Sequence, residues 1–139
     1  DIAPGTAREH ILGYAVGIDL TRRDLQLQAR EQGRPWDFGK GFDKSAPVST
    51  IPPSSGAIPP AGRIWLTVNG ERRQESDLSG MIFPIADIVA RISSSMRLAP
   101  GDLIFTGTRE GVGPLVPGDL VHGGVEGYGE IEIRIGERE

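Results

Sequence analysis

The stretch Gly13–Gln26, GYAVGIDLTRRDLQ, decides how the chain is read. An apolar run from Ile11 to Ile18 ends in Asp19, and a polar, doubly basic segment follows at once. The pattern predicts a strand that delivers a carboxylate at its end, then a helix carrying Arg23, Asp24 and Gln26. A side chain on a rigid strand is held where a metal or a substrate can use it. The plainer alternative leaves Asp19 as a strand end, with Thr21 capping the helix and Asp24 as its capping-box partner.

Length and composition bound what surrounds this stretch. The 139 residues suit one domain with a real core. A net charge of −4, with arginines scattered among acids, offers no basic face for nucleic acid. No apolar run reaches membrane-spanning length and no signal-peptide pattern opens the chain, so a soluble cytoplasmic protein is expected. The absence of cysteine excludes disulfides, thiol nucleophiles and thiolate metal sites. Twenty glycines and eleven prolines favour short strands joined by tight turns over a helical bundle. The opening DIAPGTAREH lacks Met and enters mid-stride, which reads as a chain truncated at its N-terminus.

The coarse organisation follows from periodicity and turn chemistry. Ala7–Ile11 reads as the end of a short helix, Ile11–Ile18 as a strand, and Arg22–Gln32 as a solvent-facing helix that Gly33 stops. Asp37–Ser49 reads as loop, and residues 50–62, within a Pro/Ser/Gly-rich run, as a mobile surface connection. Arg63–Val68 alternates like a strand, and Asn69-Gly70 predicts a hairpin that returns along Glu71–Glu75. A helix begins at or just after Ser79, with Ile85, Ile88, Val89, Ile92 and Met96 on one face and Pro84 in its first turn. Further strands are expected at Leu103–Thr106, Leu120–His122 and Gly129–Ile135, with Gly107–Gly113 as a glycine-punctuated loop. The whole reads as one strand-rich α+β domain.

Familiar site patterns are few. Asp19 is a hard oxygen ligand of the kind Mg²⁺, Mn²⁺ or Ca²⁺ accepts, but one carboxylate is not a site. His10 and His122 stand isolated, and no Ser-His-Asp constellation, Walker loop or dinucleotide fingerprint occurs. Order along the chain says more. GIDLTRRDLQ (17–26), GRPW (33–36), GKGFDKSAPVS (39–49), VNGERRQ (68–74), MIFPI (81–85), PGDLIFTGT (100–108) and GVGPL (111–115) follow one another over nearly the whole length. In this the chain resembles the fumarylacetoacetate hydrolase family, and more closely its small acylpyruvase branch, which includes fumarylpyruvate hydrolases.

The resemblance implies the C-terminal-domain fold of that family, a mixed β-sandwich or β-roll with short helices, and a homodimer. It implies a small-molecule 2-oxo acid as partner and Mg²⁺ or Mn²⁺ as cofactor. Asp19 matches the aspartate that joins a Glu-x-Glu pair in binding the metal. Arg23 and Gln26 match the arginine and glutamine that face the substrate, Lys40 the catalytic lysine beside the metal, and Thr108 the threonine that meets the substrate's carboxylate end. These types suit C–C bond cleavage of a β-diketo acid through a metal-stabilised enolate, with Lys40 and Arg23 adding positive charge where negative charge develops.

Departures from the family pattern set the rival expectations. The Glu-x-Glu pair is absent ahead of Asp19, as is the Glu/His pair that would activate water; both would precede Asp1. Arg109 replaces the proline that follows TGT, which could loosen that loop or add a substrate contact. Oxaloacetate decarboxylation or isomerisation of an unsaturated 2-oxo acid would use the same enolate chemistry. Outside the enzyme class, the chain could be a catalytically incomplete, dimer-forming scaffold. A sugar- or peptide-binding β domain would have only Trp36 and Trp65 as stacking platforms.

Overall fold

The computed structural model describes residues 1–53 and 61–137. Its centre is a four-stranded antiparallel sheet in the order β2-β1-β3-β4. The strands are β1 (Arg63–Val68), β2 (Glu71–Asp77), β3 (Leu120–Val125) and β4 (Gly129–Arg134). Three α-helices accompany it among the described residues: α1 (Arg23–Glu31), the single turn α2 (Asp37–Lys40) and α3 (Ile85–Ser93). The strand-rich α+β class with short helices is the one expected from the sequence.

The β1–β2 hairpin turns on Asn69 and Gly70, whose φ values of 52° and 82° match the right-handed twist of the flanking strands. Asn69 also ties the turn to β3. Its side chain donates to the Asp119 carboxylate (2.8 Å) and accepts from the Leu120 amide (2.9 Å). Alternation along the strands makes the core. Val68, Val121 and Ile133 stand in register across β1, β3 and β4, and Leu66, Gly123 and Ile131 form the next row. Ile18 and Leu20, from outside the sheet, close over this face. Trp65 and His122 alternate to the opposite face, where their rings meet edge to face at 4.8 Å.

The segment Ile11–Ile18 is extended, and among the described residues it joins no sheet ladder and makes only isolated bridges, Gly13 to Pro53 and Gly17 to Val48. Proline explains the interruption. Pro47 accepts from the Ile18 amide (3.0 Å) but has no N–H to return, and Pro52 and Pro53 are equally donorless. The Ser49 hydroxyl takes the Val16 amide (3.0 Å) where a backbone carbonyl would normally serve. Leu103–Thr106, also expected as a strand, pairs with no described strand. Its Phe105 ring lies against Gly17 so closely that a Cβ there would come within 2.5 Å of it.

Helix boundaries have local causes. The Arg34 amide donates to the Ala29 carbonyl and the Gly33 amide to Arg30, with Gly33 at φ 62°, a Schellman closure of α1. The expected loop at Asp37–Ser49 begins with the helical turn α2. Ser79 belongs to a separate 3-10 turn, Leu78–Gly80, so α3 starts only after Pro84, its N-cap, and stops before Met96. The N-terminal turn is a 3-10 helix, Pro4–His10, whose buried Ala7 faces the α3 side of the molecule. Of the proline-rich connection read as mobile, residues 54–60 lie outside the described residues.

Three carboxylates brace the sheet, Glu75 between β1 and β2 and Asp77 and Asp119 at its turns, and their proton affinities record it. Glu75 is held below the usual carboxylate range by hydrogen bonds from Arg72 and Arg63. Asp77 is lowered by the Ser79 hydroxyl and amide and by the Gly62 amide, and Asp119 by the Val116 amide and Asn69. Each binds its proton less tightly folded than unfolded, so its contribution is complete above the ordinary carboxylate pKa and lost as pH falls through the lowered value. Stability, followed as the urea midpoint, is expected to hold from neutrality to about pH 5 and to decline towards about pH 2. A flat profile through that interval would contradict these assignments.

Candidate active site

Asp19 is positioned by the backbone on both sides of it. The Ile18 amide donates to Pro47 (3.0 Å), the Leu20 amide to Ser45 (2.8 Å) and the Arg22 amide to Gly39 (2.9 Å). Ile18 and Leu20 turn into the core, so the residue between them faces outward. The same bonds bring the end of α2 alongside, and Lys40 Nζ meets Asp19 Oδ2 at 2.5 Å, with side chains 32% and 42% exposed. Lys40 also donates to the Thr21 hydroxyl (2.9 Å). That hydroxyl in turn donates to the Asp19 carbonyl (3.3 Å). Thr21 is therefore occupied with the Asp19–Lys40 pair rather than capping α1, whose N-cap is Arg22 without a side-chain bond.

Arg23 and Gln26, three residues apart on α1, share one helix face, and Arg23 Nη1 donates to Gln26 Oε1 at 2.5 Å. Gln26 is 7% exposed, an unusual burial for an amide that fixes where Arg23 can point. Gly39 makes the packing possible. A Cβ at that position would stand 3.1 Å from the Gln26 backbone nitrogen, so glycine there lets α2 approach α1, and deliver Lys40, without displacing it. The Arg22 guanidinium lies 4.6 Å above the Phe42 ring and pins the following turn.

Thr108 is not brought into contact with this cluster. It lines a cavity of about 270 Å³ walled by Ile64, Leu78, Met81, Phe83 and Ile88, to which neither Asp19 nor Lys40 contributes. Its hydroxyl accepts from Gln74 at 3.4 Å. A larger opening of about 840 Å³ lies between residues 9–17 and 98–107. Burial raises the Tyr14 hydroxyl pKa there, and that hydroxyl has no hydrogen-bond partner among the described residues. Phe105, packed on Gly17, links this wall to both Asp19 and Thr108 along the chain.

The donor set for a metal is short. Asp19 offers one hard oxygen on a fixed backbone, the kind that Mg²⁺ accepts alongside water and substrate oxygens. Among the described residues no group of three or more His, Cys, Asp or Glu is placed to hold an ion. The literal Glu-x-Glu spacing does recur late, at Glu130-Ile131-Glu132, but on the outer face of β4, where Glu130 pairs with His122 at 3.0 Å. The described residues thus fit a divalent cation through a single carboxylate. Gln74, on β2, is not among the candidates the sequence offers, although it lies in the VNGERRQ motif.

The comparisons match this architecture. The family profile described as "Fumarylacetoacetate (FAA) hydrolase C-terminal" matches residues 1–136, and the chain belongs to that family. A fumarylpyruvate hydrolase from Ralstonia sp is 46% identical over 138 residues, 99% of this chain and 72% of that protein. A mitochondrial oxaloacetate tautomerase from Oryza sativa subsp. japonica is 41% identical over 139 residues, 99% of this chain and 62% of that protein. The crystal structure of fumarylpyruvate hydrolase from Pseudomonas aeruginosa, in complex with Mn²⁺ and pyruvate, superposes with a TM-score of 0.94 at 46% identity. That superposition covers 99% of this chain and 59% of that one, so the chain spans roughly three fifths to under three quarters of these relatives' lengths. Among the described residues no helix is long and apolar enough to cross a membrane.

Proposed function

We propose that the protein is a divalent-metal-dependent hydrolase that cleaves the C–C bond of an acylpyruvate of the fumarylpyruvate type. The observation that carries this reading is the Asp19–Lys40 pair at 2.5 Å, set beside the Arg23–Gln26 face of α1. Asp19 is the residue that would hold Mg²⁺ or Mn²⁺. When bound, such an ion supplies positive charge for the enolate released as the C–C bond breaks. Lys40, freed from Asp19, turns its ammonium towards the same developing charge, as the catalytic lysine. Arg23, oriented by Gln26, and Thr108 bind the oxygens of the 2-oxo acid. Water is consumed overall: the acyl carbon takes the hydroxyl and pyruvate takes the proton.

The tautomerase relative favours a second reading, proton movement between keto and enol forms with no bond to carbon broken. Product analysis separates the two. Fumarylpyruvate incubated with Mn²⁺ and the intact protein should yield one pyruvate for each enol lost. Enol loss without pyruvate would replace hydrolysis with tautomerisation or isomerisation. No change with any divalent metal would leave a non-catalytic scaffold.

The same reading places the protein in the cytoplasm, in the breakdown of aromatic compounds, as one catalytic core working in a homodimer. Exposed Leu12, Phe38, Ile82 and Phe83 support self-association, since apolar surface of that kind is normally covered. Sedimentation as a monomer at micromolar concentration would count against the dimer.

A further inference from the structure

We propose that Gln74 and Arg109 are positioning residues that clamp the loop 107–113 and so aim the Thr108 hydroxyl. The inference rests on the reading of Thr108 as a substrate contact. A loop with glycines at 107, 111 and 113 has little intrinsic stiffness, and an exposed threonine on it would lose rotational freedom on binding. Three separate anchors remove that freedom in advance.

The first anchor is built by β2. Leu66 faces Gln74 while Thr67 faces Arg72, so Arg73 is an extra residue and the strand bulges. The bulge puts the Arg73 carbonyl so close to Gly111 that a Cβ there would stand 2.0 Å from its oxygen, and Gly111 is at φ 93°. The second anchor is the Gln74 amide, which donates to the Arg109 carbonyl (2.8 Å) and to Thr108 Oγ1 (3.4 Å). The third is Arg109 itself, whose Nη2 reaches the Asp77 carbonyl (3.1 Å) over Gly80. A Cβ on Gly80 would lie 2.8 Å from that nitrogen, so a side chain at residue 80 would push the guanidinium from this position. Arg109 thus ties the loop to the end of β2, where a looser loop or a substrate contact were the two expectations.

The chemistry of the second anchor gives the clamp a direction. A hydroxyl that accepts from an amide keeps its own O–H to donate. Thr108 is therefore set as a donor, the role a substrate carboxylate requires, before any ligand arrives.

A double-mutant cycle on the intact protein, with fumarylpyruvate and Mn²⁺ as probes, tests the clamp. Gln74→Leu and Thr108→Val should each raise KM about tenfold with a smaller change in kcat. The double variant should be no worse than Thr108→Val, because nothing then remains for Gln74 to aim. Gly80→Ala, which displaces the Arg109 guanidinium without removing a polar group, should raise KM in the same direction. Amide exchange at residues 107–111 should quicken in Gln74→Leu and in Gly80→Ala while the melting temperature stays near that of the parent. Multiplicative KM effects in the double variant, or unchanged exchange in that loop, would overturn the clamp. If Thr108→Val leaves KM unchanged while loop exchange still quickens, the clamp stands as a loop brace and the reading of Thr108 as a substrate contact fails.

Discussion

Asp19→Asn is expected to lower Mn²⁺-dependent turnover of fumarylpyruvate by about 10³-fold while leaving the fold in place. The substitution keeps the shape of the side chain and removes only its charge. The backbone that holds residue 19 is fixed by the amides of Ile18 and Leu20, whose bonds to Pro47 and Ser45 do not involve that side chain. At 42% exposure the position carries no buried charge whose loss would strand a partner, and Lys40, also partly exposed, remains solvated. Circular dichroism and the melting temperature should therefore match the parent. Retention of most of the turnover would remove Asp19 from the mechanism.

Lys40→Met should separate binding from chemistry in opposite directions. Its ammonium is the one cation in contact with Asp19 among the described residues, and a divalent ion at Asp19 would face it as a like charge. Removing it should strengthen Mn²⁺ binding. The same change takes positive charge from the place where the enolate forms, so kcat should fall by about 10²-fold. The thioether stem fills much of the same space, and Gly39 still allows α2 to approach α1, so the loss is not one of folding. Weaker Mn²⁺ binding together with unchanged kcat would contradict the role given to Lys40.

Much of the fold was legible because its signals are local. Asn69-Gly70 dictates a hairpin by its own backbone preferences, and Val121, Ile131 and Ile133 alternate as a half-buried sheet must. Gly33 ends α1 where expected for the same kind of reason. What sequence could not give was partnership. Ile11–Ile18 has the composition of a strand, but whether it joins a ladder depends on Pro47, Pro52 and Pro53, far along the chain. Leu103–Thr106 is equally apolar and has no described strand beside it.

The site divided along the same line. Family resemblance pointed to Asp19 and Lys40, and the structure places them in contact; it pairs Arg23 with Gln26 as well. Thr108 lies apart, on the loop that Gln74 holds. Gln74 could not be found from pattern because its role depends on a bulge, a register shift visible only once β1 and β2 are paired. Thr21 shows the converse. Its spacing to Asp24 fits a capping box, but a lysine delivered by a separate helix takes its hydroxyl instead.

The most direct measurement is a calorimetric titration of Mn²⁺ into the intact protein and into its Asp19→Asn variant. Micromolar binding by the parent, weakened about 100-fold or more in the variant, is the predicted result. Equal affinity in the two proteins would contradict the assignment of Asp19 as a metal ligand, and with it the reaction proposed here.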